Sequence, residues 1–97
     1  MKTNIYCFFD SASNLYERAF DAVTDGKALE QLEDSVRAMP KAYPHLDKKE
    51  LCRVASIDVE TGIVTPETAP IRIDISNILE SIKPIDKIEQ AMIDERH

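Results

Sequence analysis

The sequence predicts a small α+β domain: a mainly antiparallel sheet in the order ββαββ, with one helix on a face and a C-terminal helical segment. Three observations predict it. Residues 3–9 (TNIYCFF) and 51–59 (LCRVASIDV) are dense in the β-branched and aromatic types that fit a pleated sheet. Between them Ala28, Leu29, Leu32, Val36 and Met39 recur at three- and four-residue spacings, the period of one helical face. Beyond Pro66 the pattern changes, and Ile75, Ile78, Leu79 and Ile82 return to helical spacing.

The first strand runs into Asp10, Ser11, Ser13 and Asn14, whose short polar side chains bond to nearby backbone and favour a turn. A hairpin is therefore expected. Its second arm, 15–23 (LYERAFDAV), sets Tyr16, Arg18 and Phe20 against Leu15, Glu17 and Ala19. The alternation is weak, and Leu15, Ala19 and Phe20 also fit a helical stripe, so a strand is expected with a helix as the alternative. Thr24 or Asp25 caps the helix at 26–38, and Pro40 and Pro44 end it before the polar connection KAYPHLDKKE. Glu60, Thr61 and Gly62 turn the third strand into a short fourth one, Ile63 to Thr65. Asp74 or Ser76 caps the next helix, Pro84 breaks it, and a second amphipathic helix over 85–95 carries Ile85, Ile88 and Met92. Helices this short are unstable alone, so the tail must dock on the sheet or on another copy. This divides the chain into a core domain, 1–66, and a helical tail, 67–97.

With 97 residues, 43% hydrophobic and 31% charged, the chain suits one globular domain and is too apolar for a disordered one. A core of this size leaves much surface exposed, so self-association into a homo-oligomer is expected. No apolar run is long enough to span a bilayer, and no secretory pattern follows Lys2, which together point to the cytosol and away from membranes. Cys7 and Cys52 lie in strand-like segments without a histidine at ligand spacing, and read as small buried hydrophobes. The net charge is −6 and the isoelectric point near 4.8, whereas a protein that coats nucleic acid by neutralising phosphates is strongly basic.

Five of the six aromatic residues fall within 6–20. With the helix on the Ile5, Cys7 and Phe9 face of the first strand, the residues Tyr6, Phe8, Tyr16, Arg18 and Phe20 would share the opposite face. Exposed, they would make a base-stacking platform for single-stranded nucleic acid. Covered, they would pack beneath the tail or a second subunit. Lys41, Lys48, Lys49 and Arg53 cluster in sequence as candidate phosphate contacts, but Asp47, Glu50 and Asp58 are interleaved with them, as in a solvated mixed-charge loop. The carboxylates are scattered, His45 stands alone, and two glycines cannot build a phosphate loop. No catalytic residues, metal site or cofactor are expected.

The order IYCFFDSA, Tyr16, Ala19-Phe20, TDGKA and then LCRVASIDVETG resembles the small nonstructural protein of the gokushovirus-type microviruses, icosahedral phages with single-stranded DNA genomes. The resemblance covers residues 3–66. It departs at Ala19, where the family tends to have proline, and at Ala55-Ser56-Ile57, which replaces a Gly-x-Phe. It implies a nonstructural accessory protein in the cytoplasm of an infected bacterium, of a kind commonly labelled DNA-binding or replication-associated. The expected role is non-catalytic binding linked to replication or packaging of viral single-stranded DNA. The alternative is an adaptor that engages a host or viral protein without touching DNA.

Overall fold

The computed structural model describes residues 1–82, and the helix expected over 85–95 lies outside them. The chain forms β1 (Lys2–Asp10), β2 (Leu15–Ala22), α1 (Asp25–Ala38), β3 (Lys49–Asp58) and β4 (Val64–Ile73), after which residues 76–82 are helical (α2). Two short 3-10 turns, Pro40–Ala42 and Leu46–Lys48, carry the chain from α1 to β3. The strands make one antiparallel sheet in the order β2-β1-β3-β4, an α+β fold.

The β1–β2 turn is built by the short polar residues. Asp10 accepts the Asn14 N–H on its carbonyl (2.8 Å) and the Ala12 N–H on its Oδ1 (2.9 Å). Asn14 itself is left-handed, with φ 61°, a conformation that asparagine tolerates better than most residues. Asn14→Ala is expected to cost about 1 kcal/mol and to lower the melting temperature by about 4–8 °C, while Asn14→Gly leaves it unchanged or higher. Thermal unfolding followed by circular dichroism checks both.

The second arm is a strand, but an interrupted one. Tyr6 pairs with Phe20 and Phe8 with Glu17, so Cys7 alone faces both Arg18 and Ala19. This is a β-bulge, and Arg18 occupies its left-handed position at φ 55°. An extra residue in a pleat of period two moves every side chain beyond it to the opposite face. Phe20 therefore lies on the Tyr6 side of the sheet, whereas Tyr16 pairs with Phe9 on the other side.

Helix α1 begins at Thr24, whose Oγ1 accepts the Lys27 N–H at 3.1 Å, with Asp25 complementing the positive end of the helix. Its buried residues Ala28, Leu32 and Val36 repeat every four positions. They pack on Tyr6, Phe8 and Leu51, and Ile75, just before α2, and Ile78 within it join the same cluster. The helix thus covers the Tyr6 and Phe8 face, not the Ile5, Cys7 and Phe9 face expected from the sequence. Both faces of β1 are apolar, so alternation marks two sides without ranking them; the larger rings are the ones buried. Asp74 rather than Ser76 serves the α2 entry, accepting the Ser76 N–H at 2.9 Å.

β4 is longer than the predicted strand at 63–65 and runs through residue 66 to Ile73. Between the Ala55–Pro66 and Arg53–Ile71 pairs, Val54 faces residues 67–70, so Pro66 and Pro70 flank an irregularity on an edge strand, where a missing N–H is tolerated. The β3–β4 turn uses Gly62 at φ 75°, its N–H donated to the Asp58 carbonyl at 2.7 Å.

Candidate functional site

The structure separates the five residues of the expected aromatic platform. Tyr6 and Phe8 are 0% and 2% exposed in the core. Phe20 stacks on Tyr6 (centroids 5.5 Å apart) and lies 6.1 Å from Phe8, inside the same cluster. Tyr16 is on the other face, 52% exposed and 5.0 Å from Phe9. Arg18, at the bulge, sits 4.8 Å over the Tyr43 ring, which in turn meets Phe8 edge-on at 6.4 Å. The rings expected to stack on bases are therefore mostly occupied by one another. Tyr43 was hidden within a connection that reads as polar; its ring contacts depend on where the chain returns after α1.

Two of the four candidate phosphate contacts are also engaged. Lys49 on β3 is ion-paired with Glu17 on β2, reaching over the intervening β1. Arg53 donates through Nη1 to Asp25 (2.7 and 2.8 Å to its two carboxylate oxygens) and through Nε to Glu67 (3.1 Å). A guanidinium with two carboxylates is already neutralised and has little to offer a phosphate. Lys41 and Lys48 are exposed and make no ion pair among the described residues, but they lie on separate turns.

Asp25 is the hub of a polar clasp. The Tyr6 hydroxyl donates to its Oδ1 at 2.6 Å and receives the Asn4 amide at 3.2 Å. Burial pushes the Asp25 carboxyl up, but hydrogen bonds from Tyr6 and Arg53 and the adjacent Arg53 charge outweigh it and hold the group below its usual range. Burial, reinforced by the Asp25 carboxylate, raises the Tyr6 phenol, so it remains the donor. The clasp joins β1, α1, β3 and β4. Its groups satisfy one another, which suits a structural tie better than a reacting centre.

The second face of the sheet is covered by no described helix, although its centre, at Cys7, Cys52 and Ala55, is buried. Register places Tyr16 with Phe9, Cys7 with Cys52, Ile5 with Ala55, and Ile57 with Val64, one apolar stripe across all four strands. The cysteines are buried and unbonded, with thiols pushed up by burial. None of these residues belongs to the cluster formed with α1 and α2, and Tyr16 and Val64 are each 52% exposed. Among the described residues no three His, Cys, Asp or Glu side chains gather as metal ligands, and no helix is long and apolar enough to cross a membrane. No family model, curated protein or solved structure matches the chain.

Proposed function

We propose that the chain is a non-catalytic accessory protein that works by protein–protein contact and self-associates through the second face of its sheet. The observation that carries this reading is the apolar stripe from Tyr16 and Phe9 to Ile57 and Val64, which no described helix covers. Its ends, Tyr16 and Val64, are each 52% exposed while Cys7, Cys52 and Ala55 between them are buried, and exposed apolar side chains at both ends of such a stripe favour association. The setting implied by the resemblance is an infected bacterial cytoplasm, where such a module would engage a phage or host protein. A direct role on viral single-stranded DNA is the second reading, favoured by Lys41 and Lys48, whose charges have no carboxylate partner among the described residues.

Light scattering on the purified chain should give twice its 11.0 kDa mass or more, and Tyr16→Lys should return it to a folded monomer. In parallel, anisotropy of a labelled oligothymidine should show no saturable binding in the micromolar range at low salt. A monomer at all concentrations, together with tight oligothymidine binding that weakens steeply with salt, would replace this reading with the second.

A further inference from the structure

Where α1 passes the β2 bulge, a cleft of about 200 Å³ opens between Phe8, Phe20, Leu32 and Tyr43, lined also by Arg18 and Gln31. The size decides the class of occupant. An apolar cavity of about 150 Å³ holds one benzene ring, whereas pockets for whole cofactors or drug-sized ligands run to about 300–1,000 Å³. The cleft suits one side chain.

Its charge is distinctive too. Among the described residues Arg37, Arg53 and Arg72 each pair with a carboxylate, while Arg18 has only the face of Tyr43. Arg18 is held in that place by the left-handed backbone of the bulge, an arrangement that costs energy in a non-glycine residue and that bulges use to re-aim a side chain. An arginine stacked on a ring keeps its donors free at the edge of the guanidinium plane, ready for a planar anion.

We propose that this cleft is an anchor pocket for a partner peptide, taking one phenylalanine ring between Phe8, Phe20 and Tyr43 while an adjacent aspartate or glutamate pairs with Arg18. The proposal rests on the protein-contact reading but concerns the helix-covered side of the sheet, so its test is independent of the oligomeric state. Buried ring anchors beside a charged contact are the usual hot spots of such interfaces.

The test is a titration of isotope-labelled protein with acetyl-Phe-Asp-amide, followed by backbone amide shifts. Saturable shifts at Arg18, Phe20, Leu32 and Tyr43 are expected, with Kd at or below about 1 mM, the weak end for a single anchor. Acetyl-Phe-Asn-amide and acetyl-Gly-Asp-amide should each bind at least about tenfold weaker, a loss of about 1.4 kcal/mol. Arg18→Gly, which suits the left-handed backbone, should abolish the preference for aspartate while leaving the spectrum folded. Absence of saturable shifts, equal binding of the aspartate and asparagine peptides, or tighter binding of thymidine monophosphate than of the peptide would each overturn the proposal.

Discussion

Tyr6→Ala is expected to cost about 3–5 kcal/mol, the range for removing a buried ring, out of a total stability of about 5–15 kcal/mol for a domain this size. Tyr6 has no exposed surface, stacks on Phe20, and is packed with Leu51 beneath α1. Its hydroxyl also donates to Asp25, so truncation takes a charge-assisted hydrogen bond with it. Denaturant unfolding measures the loss, and two controls partition it. Tyr6→Phe keeps the ring and should cost about 1–2 kcal/mol through the hydroxyl alone. Tyr16→Ala removes an exposed ring from Phe9 and should cost no more than about 0.5–1.5 kcal/mol. Equal losses for Tyr6→Ala and Tyr16→Ala would mean that the two tyrosines share one environment, contrary to the bulge that separates them.

That bulge shows what the sequence could and could not convey. Strand-forming residues, the four-residue period of Ala28, Leu32 and Val36, and the turn residues at 10–14 and 60–62 report local preferences, and the elements follow them. The weak alternation over LYERAFDAV carried the one visible trace of the bulge: a period that breaks between Arg18 and Ala19 looks like a poor strand in one register and a partial helix in another. Which residue takes the left-handed backbone depends on pairing with β1, which local preference does not encode. The same limit applies to Arg53. Its sequence neighbours Lys48 and Lys49 suggested a cationic cluster, while its actual partners, Asp25 and Glu67, lie 28 and 14 positions away. Asp25 was readable as a helix-start residue, and it holds that place, but its bonds to Tyr6 and Arg53 arise only when α1 crosses β1 and β3. The change of pattern beyond Pro66 set the end of the expected fourth strand, and β4 continues past it because it is an edge whose irregular stretch needs no donor there.

Asp25→Asn is expected to destabilise the protein at neutral pH by about 1–2 kcal/mol and to flatten its acid sensitivity. The magnitude is set near the lower half of the range for a lost charged hydrogen bond, because the Asp25 side chain is 38% exposed and water screens its pairing with Arg53. The sign follows from linkage. The folded protein holds the Asp25 carboxyl below its usual range, so the unfolded chain binds the proton more readily as pH falls. The stabilisation is fully present above the unfolded pKa, about 3.9, and is lost as pH falls through the lower folded value. Asp74 shifts in the same direction, through hydrogen bonds to the Ser76 backbone and side chain, and therefore contributes acid sensitivity that persists in the variant. The informative quantity is the difference between the two proteins. Measured by denaturant midpoint from about pH 6 to pH 2.5, the wild-type advantage should hold steady to about pH 4 and then shrink. An advantage that stayed constant down to the lowest pH would mean that Asp25 stabilises the clasp through shape alone, with its charge contributing nothing to the tie between β1, α1 and β3.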